Sequence, residues 1–341
     1  MQQLHNKKLL WQLPFLVLLI VGTMLIIRQQ RYMPYQKSAD KVFGTFYHAV
    51  YQCDSDLTNS INAELAKVDV ALSPFNPNSV ITAVNQNKPV KLNDMFLDVY
   101  QLAMKISDET EGAFDITVAP LVNAWGFGFK NGFEPSKLQV DSLMQVIGYR
   151  KVRLEKGAIC KTDDRIMLDC SAIAKGYGTD VVARLLRGMG VNNFMIEIGG
   201  EIVTSGVNPE GKPWRVGISK PIDDMQGTSQ GVQSIVAITD KAMATSGNYR
   251  NFYYKGGKKY AHTIDPKTGY PVQHSLLSAT VFANSCAVAD AYATSFMVMG
   301  VEKAQQLLDR HPELMAYLIY SDKDGKNAVW YSPSLKNKLQ E

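Results

Sequence analysis

Apolar residues recur every three or four positions in several segments of the chain. Between positions 57 and 72 this spacing is continuous, and Pro74 follows it, which predicts an amphipathic helix that ends at the proline. The same spacing predicts further helices. These helices cover about 93–110, 136–147, 171–187 and 301–309.

Short segments of alternating apolar and polar residues lie between the helices and predict strands. Strands over 194–198 and 201–204 flank Gly199-Gly200, and strands over 315–320 and 328–331 flank Asp324-Gly325. Strands and helices do not alternate strictly. We therefore expect an α+β fold with a mixed, largely antiparallel sheet and flanking helices.

The N-terminal segment has a different composition from the rest. Leu9 to Ile27 is a run of nineteen residues without a charge, close to the ~20 apolar residues that span a bilayer. No Ala-x-Ala cleavage site follows it, so we expect an uncleaved membrane anchor helix over 1–31. A tether over 32–41 and one folded domain over 42–335 complete the predicted organisation.

The charge is concentrated in the same N-terminal segment. The chain has a net charge of +4, but residues 1–41 contain six Lys or Arg and one acid, so the remainder is near −1. A near-neutral folded domain argues against nucleic-acid binding, which requires a basic face. The four cysteines show neither CxxC nor Cys/His metal spacing.

The segment from Asp169 to Asp180 is the strongest candidate for the chemical centre. Arg165 to Leu168 alternates like a short strand, and Ser171 is a suitable N-cap for the following helix. Asp169, Ser171 and Lys175 would then meet at a helix start, where free N–H groups and the helix dipole favour anions. This arrangement predicts a phosphate site.

A second candidate pair lies on a predicted helix near the C-terminus. Asp290 and Thr294 are four residues apart, so both side chains would point to one face. A hard cation such as Mg²⁺ takes few protein oxygens and shares its other positions with water and phosphates. The alternative is a cap and a packing residue on a helix of small side chains.

The glycine-rich segments do not match the common nucleotide-binding motifs. The chain has no Walker A motif, and Gly176-Tyr177-Gly178 lacks the third glycine and the context of a dinucleotide-binding fingerprint. Gly199-Gly200 permits close approach of the main chain to a phosphate, although a glycine pair is more often a hairpin turn.

Seven blocks, in order along the chain, make the sequence resemble the ApbE family, the FAD:protein FMN transferases. The blocks are Phe43-Gly44-Thr45, Gly112–Asp115, Asp169–Asp180, Glu197–Glu201, Thr245–Arg250, His262–Gly269 and Ala289–Thr294. The resemblance implies an ApbE-like fold and transfer of the FMN moiety of FAD to a Thr or Ser hydroxyl of another protein, with Mg²⁺ as cofactor and AMP as product.

The resemblance also implies roles for individual residues. His262 would be the general base, and the Mg²⁺ ligands would be the carbonyl of Ala172 with Asp290 and Thr294. The FAD-binding residues would be Phe43, Phe75, Ala113, Phe114, Asp115, Asp169, Lys175, Gly199, Gly200 and Ile264. Family members commonly have Met at the position of Phe43 and Tyr at that of Phe75, so both contacts would differ here.

The expected partners follow from the same resemblance. They are FAD and an acceptor redox protein that carries the modified Thr or Ser, with the membrane bound through the anchor and no nucleic acid. The domain is expected outside the cytoplasmic membrane. Two alternatives stay open: an Mg²⁺-dependent FAD pyrophosphatase, which admits water instead of the acceptor hydroxyl, and a flavin-binding protein without turnover.

Overall fold

The computed structural model of the chain describes residues 2–128, 135–222, 231–248, 252–255 and 258–340. The helices in these ranges are α1 (Gln2–Tyr32), α2 (Thr58–Leu72), α3 (Val80–Asn85), α4 (Asp94–Glu109), α5 (Ala119–Ala124), α6 (Lys137–Met144), α7 (Ser171–Gly188), α8 (Cys286–Met299) and α9 (Val301–Arg310). The strands are β1 (Tyr35–Val42), β2 (Thr45–Gln52), β3 (Val152–Glu155), β4 (Ala158–Lys161), β5 (Phe194–Ile198), β6 (Glu201–Ser205), β7 (Trp214–Ser219), β8 (Val232–Ile238), β9 (Lys241–Gly247), β10 (Phe252–Lys255), β11 (Lys258–Ala261), β12 (Leu276–Ala283), β13 (Met315–Ser321), β14 (Asn327–Tyr331) and β15 (Leu339–Gln340).

The α+β expectation is confirmed, and the architecture centres on one large sheet. Eight strands form it in the order β1-β2-β5-β6-β9-β12-β13-β14, and a second sheet has the order β15-β8-β7. Every strand pairing within the described ranges is antiparallel. The predicted parallel component of the sheet is therefore absent from this part of the chain.

The two faces of the large sheet carry different layers. Apolar residues of α2, α4, α7, α8 and α9 pack with one face in two buried clusters. The three-stranded sheet packs on the other face, where Val216, Ile218 and Val236 meet Met243 and Phe282. Side chains alternate along β9 and β12, so each of these strands contributes buried residues to both faces of the sheet.

Helix α4 shows how local sequence delivers a segment to the site. Its N-cap Asn93 accepts a hydrogen bond from the Phe96 N–H, and Phe96, Val99 and Ile106 are buried on one face. The chain then reverses through Gly112, whose φ of +81° favours glycine. The turn places residues 113–115 at the cavity described below.

The predicted strand over 165–168 is wrong. Leu168 instead pairs with the Asn85 side chain, donating its N–H to Oδ1 at 2.7 Å and accepting from Nδ2 at 2.9 Å. The next backbone donor, Asp169 N–H, bonds to the Ile116 carbonyl. These partners take the backbone groups that a strand ladder would use.

The predicted tether over 32–41 also differs from the structure. Residues 35–42 form β1, which pairs with β2 along its whole length. Within β1 only Ser38 is buried, so the strand is polar because it lies at the edge of the sheet. At the other end, β15 pairs with β8 and extends the fold beyond the predicted limit at 335.

In the ranges that the structure describes, no helix combines the length and the apolar composition that crossing a membrane requires. This finding does not support the anchor predicted over 1–31, of which residues 2–31 lie in α1.

Candidate active site

A cavity of about 580 Å³ lies where α7, α8, the β5–β6 turn and the end of β7 converge. Every candidate residue predicted from the sequence lines it except Phe43. The two chemically important segments meet here, because the Gly176 N–H on α7 donates to Asp290 Oδ2 on α8 at 3.0 Å. The structure thus brings together two segments that are more than a hundred residues apart.

The start of α7 opens into this cavity. Cys170 occupies the N-cap position that was predicted for Ser171, and Ser171 is the first helical residue. Asp169 Oδ1 accepts the Ser171 N–H at 2.8 Å. Asp169, Ser171 and Ala172 all line the cavity, so the positive end of the α7 dipole lies beside it.

Three charged side chains meet deeper in the cavity, and we call Lys175, Glu201 and Asp290 the charged floor. The Lys175 ammonium lies 3.2 Å from Glu201 Oε1 and 3.9 Å from Asp290 Oδ2. Glu201 is 3% exposed, and its Oε2 is buried without a hydrogen-bond partner among the described residues.

Burial and the contacts within the charged floor shift the pKa values of Lys175 and Glu201. Burial raises the pKa of the Glu201 carboxyl; the Lys175 ammonium opposes this rise, and the Asp290 charge adds to it. Burial disfavours the ammonium form of Lys175, but Asp290 and Glu201 outweigh it and raise the Lys175 pKa. Lys175 therefore stays cationic at neutral pH and is able to pair with a phosphate.

Glycines in the middle of α7 allow this close contact with α8. A Cβ at Gly176 would clash with the Cys286 carbonyl and lie 2.8 Å from Asp290 Cβ. At Gly178 a Cβ would lie 2.7 Å from the Phe43 ring. The two glycines thus allow close packing against α8 and the Phe43 ring, and they do not form a phosphate-binding loop.

The start of α8 is held by a carboxylate from α7. Asp180 accepts from the Cys286 N–H at 2.9 Å, the Ala287 N–H at 2.9 Å and the Ser285 hydroxyl at 2.7 Å. Cys286 is fully buried, and burial raises the pKa of its thiol. These bonds fix α8, and with it Asp290, against α7.

The predicted Mg²⁺ ligands offer oxygen atoms that suit a hard cation. Asp290 is 4% exposed, with Oδ2 bonded to Gly176, and Thr294 lies one helical turn further along α8. Ala172, in the first turn of α7, lines the same cavity. Within the described ranges, no cluster of three or more His, Cys, Asp or Glu could hold a metal ion; this set has one carboxylate.

Gly199 and Gly200 form the tight turn between β5 and β6. The Gly199 N–H bonds to the Phe46 carbonyl at 3.1 Å, and the Gly200 N–H bonds to the Glu197 carboxylate. Both N–H groups are therefore engaged within the protein. The pair lines the cavity as a hairpin turn, with φ of +61° and +109°, rather than as a source of free N–H donors.

Asp115 lines the cavity, but its carboxylate is engaged by the protein. Oδ1 accepts from the Thr117 N–H and hydroxyl, and Oδ2 accepts from the Tyr149 N–H. Burial raises the pKa of Asp115 against these hydrogen bonds. Asp115 thus fixes the turn that carries Ala113 and Phe114 to the cavity.

Phe43 is the candidate that the structure places elsewhere. It has a φ of +50°, and its ring packs against Gly178 and belongs to the apolar core rather than to the cavity lining. No local pattern indicates this position, because the absence of a side chain at Gly178 creates the space for the Phe43 ring.

Aromatic side chains form the outer part of the cavity, and we call Phe75, Phe127 and His262 the aromatic rim. Phe75 is 70% exposed. The His262 and Phe127 rings are 6.4 Å apart in an edge-to-face arrangement. Ile264, two residues after His262, is buried and also lines the cavity. Tyr249 and Arg250, from the Thr245–Arg250 block, lie outside the described residues.

Comparisons with known proteins agree with this geometry. The model of the ApbE family matches residues 43–319. The chain belongs to the ApbE family. It is 37% identical over 318 residues to the FAD:protein FMN transferase of Haemophilus influenzae, covering 88% of this chain and 90% of that protein. The Escherichia coli protein of the same name is 34% identical, with 88% of each chain covered.

Solved structures of ApbE proteins share the fold. The flavin transferase ApbE from Vibrio cholerae superposes with a TM-score of 0.78 at 33% identity, covering 90% of this chain and 100% of that one. The flavinyl transferase ApbE of Pseudomonas stutzeri, in its apo form, gives a TM-score of 0.79 at 28% identity, covering 89% of this chain and 96% of that one.

Sequence reasoning missed two residues of this ApbE-family site. The sequence identifies Glu201 only as the end of a block and the start of a strand, and Asp180 only as the end of a block. Both are carboxylates in otherwise apolar or small-residue surroundings, and a buried carboxylate requires a partner. Their partners, Lys175 and the start of α8, are distant in sequence, so no local pattern identifies them.

Proposed function

We propose that the chain transfers the FMN moiety of FAD to a Thr or Ser hydroxyl of an acceptor protein, releases AMP and requires Mg²⁺. The similar proteins named FAD:protein FMN transferase support the flavin chemistry. The observation that carries the proposal is the hydrogen bond from Gly176 to Asp290 at 3.0 Å, since it joins the predicted phosphate and cation segments at one cavity.

The residues present fit Mg²⁺. The carbonyl of Ala172, the Asp290 carboxylate and the Thr294 hydroxyl would hold it, and its other positions would go to water and phosphate. A bound Mg²⁺ would neutralise charge on the diphosphate of FAD.

The chain's own groups would perform the rest of the reaction. Lys175 and the positive end of α7 would bind the phosphates and orient them. His262 would take the proton of the acceptor hydroxyl on an imidazole nitrogen, while that oxygen bonds to the phosphorus on the FMN side. The bond from this phosphorus to the bridging oxygen breaks, and AMP leaves with that oxygen.

Mass spectrometry of an acceptor tests the proposal directly. A recombinant flavin-carrying subunit of an ion-pumping NADH:quinone oxidoreductase, purified without covalent FMN, is incubated with the protein, FAD and Mg²⁺. We expect the acceptor to gain the mass of one FMN with the wild type, and no gain with His262→Ala or Asp290→Asn. Asp309→Asn, at an exposed position on α9, is the control and should act as the wild type does.

The same incubation separates the alternatives. Equal release of FMN and AMP with and without the acceptor would identify a pyrophosphatase. Retention of FAD without any AMP would identify a binding protein. Both outcomes contradict the transferase proposal.

The proposal extends to the location of the protein. The family resemblance supports a catalytic domain on the extracytoplasmic side of the cytoplasmic membrane, together with a membrane or extracytoplasmic acceptor. Protease treatment of intact spheroplasts should therefore degrade the domain. Protection in intact spheroplasts, with degradation only after their lysis, would contradict this location.

A further inference from the structure

Strand β7 has an open edge. It is the outer strand of the order β15-β8-β7, and in the described ranges it pairs only with β8. Trp214, Val216 and Ile218 are buried on one face, whereas Arg215 and Gly217 are exposed on the other. Proteins normally cover such an edge, because its unpaired N–H and C=O groups bind other chains.

The backbone groups of Arg215 and Gly217 point to this open edge. The Lys220 N–H bonds to the Gly231 carbonyl at 2.7 Å, on the β8 side. Hydrogen-bonding direction alternates along an antiparallel strand, so residues 218 and 216 also face β8, and 217 and 215 face away. The irregularity in the pairing adds the extra residue to β8, between Val232 and Ser234, and leaves β7 regular.

The open edge leads into the cavity. Gly217 and Ser219 line the cavity, whereas Arg215, two residues earlier, lies outside it. Gly217 is exposed, and the accessible surface of a glycine is almost entirely backbone. The edge is thus continuous with the proposed site of FMN transfer.

Nothing in the described structure requires glycine at position 217. A Cβ there would contact only Val232, at 3.6 Å, which is an ordinary van der Waals distance, and Gly217 has no positive φ. Glycine inside a strand weakens it, and it often marks a place where a ligand or another backbone approaches closely. The space beside Gly217 suits an incoming main chain.

We propose that an extended segment of the acceptor protein binds as an added strand along the edge of β7, with its Thr or Ser hydroxyl entering the cavity at the Ser219 end. This inference rests on the proposed function, because it assigns the entry route of the acceptor. Main-chain hydrogen bonds to Arg215 and Gly217 would supply affinity, as in other cases of strand addition. The segment from Arg215 to Ser219 is about 13 Å long at the usual rise per residue.

Two substitutions at one position test the role of the edge. Arg215→Pro removes the N–H that faces away from β8, and proline is tolerated at such positions. Arg215→Ala removes the side chain but keeps the N–H. With the flavin-carrying subunit described above, we expect the KM for the acceptor to be at least about tenfold higher for Arg215→Pro than for Arg215→Ala, a difference of about 1.4 kcal/mol. FAD affinity, measured by flavin fluorescence, should be equal in the two variants.

The outcomes separate the inference from the proposed function. No FMN transfer by the wild-type protein overturns the proposed function. Equal acceptor KM values for the two variants, with transfer by the wild type, overturn the docking inference alone.

Hydrogen exchange of the wild-type protein gives a second measurement that does not depend on the folding of a variant. The acceptor subunit, with its modified Thr or Ser replaced by Ala, is added in the presence of FAD. We expect slower exchange at the amides of Arg215 and Gly217. Unchanged exchange at these amides, with protection elsewhere, would overturn the inference.

Discussion

The charged floor and the aromatic rim border the same cavity but are held in different ways. Helices α7 and α8 fix Lys175 and Asp290 of the charged floor through a backbone contact at Gly176 and through the bonds of Asp180 to the start of α8, and Glu201 begins β6. The aromatic rim lies on turns, and its Phe75 side chain is 70% exposed. The charged side chains are thus held by packing between secondary-structure elements, whereas the aromatic side chains of the rim lie on turns.

The largest effect is expected where the two helices touch. Gly176→Ala inserts a methyl group against the Cys286 carbonyl and Asp290 Cβ, so α7 and α8 must separate. We expect a loss of about 1–3 kcal/mol in unfolding free energy. Urea unfolding followed by circular dichroism measures it.

Gly188→Ala, on the same helix, is the matched control. A Cβ at Gly188 meets nothing within 4 Å, so alanine should stabilise the helix by about 0.5–1 kcal/mol. Equal stability of the two variants would show that the contact between α7 and α8 tolerates a side chain, and the comparison would fail.

The next effect concerns the cap of α8. Asp180→Ala leaves the N–H groups of Cys286 and Ala287 without their acceptor, which should cost about 2 kcal/mol. The surface pair of Asp163 and Arg165 provides the comparison, because Asp163→Ala should cost less unfolding free energy than Asp180→Ala. Thermal unfolding ranks the two variants, and the reverse order would contradict the structural role of Asp180.

The aromatic rim should respond in binding rather than in stability. Because Phe75 is largely exposed, Phe75→Ala should change unfolding free energy by less than about 0.5 kcal/mol. Loss of an aromatic contact of about 1 kcal/mol should weaken FAD binding roughly fivefold. Flavin fluorescence titration measures the affinity. A change in stability without a change in affinity would place Phe75 in the core and not at the site.

The smallest effect is expected at His274, which joins the segment after the aromatic rim to the end of α8. Its Nε2 lies 2.8 Å from the Met297 carbonyl, and Nδ1 accepts the Leu276 N–H at 3.2 Å. Partial desolvation of the ring lowers the pKa of His274, although the residue keeps solvent contact, and a proton on Nδ1 would face the Leu276 N–H. The neutral ring is therefore the folded form.

The sign of the pH effect follows from this lowered pKa. The unfolded chain binds the proton more readily, so stability is present above the unfolded pKa of about 6.5 and falls as pH drops through the lower folded pKa. His274→Gln should remove this part of the acid sensitivity. Melting temperatures at pH 7 and pH 5 should differ less in the variant than in the wild type, and an unchanged difference would contradict the assignment.

Local sequence patterns were sufficient for the longer helices of the folded domain and for the candidates at the start of α7 and on α8, whereas the other cavity-lining candidates came from the family resemblance. The periodicity over 57–72 and 93–110 corresponds to α2 and α4, and the candidates from Asp169 to Lys175 lie at the cavity with Asp290 and Thr294. These patterns work because the information is within one helix, or because side chains four residues apart share a face.

The remaining features depend on partners that are distant in sequence. The Asn85 side chain hydrogen-bonds to both the N–H and the carbonyl of Leu168, so these groups do not pair in the predicted strand. In the Gly199-Gly200 turn, the Gly199 N–H donates to the Phe46 carbonyl and the Gly200 N–H donates to the Glu197 carboxylate. No local pattern predicts such hydrogen bonds, because each polar group could bond to several partners and only the folded structure determines which one lies near it.

The burial of thiols near the cavity has a practical consequence. Cys170 and Cys286 are buried, and burial raises the pKa of both, which withholds the reactive thiolate. Cys160, on β4, is exposed and has no disulfide partner. A maleimide dye should therefore attach at Cys160 and spare the thiols of Cys170 and Cys286, so the protein can be labelled without chemical damage beside the site.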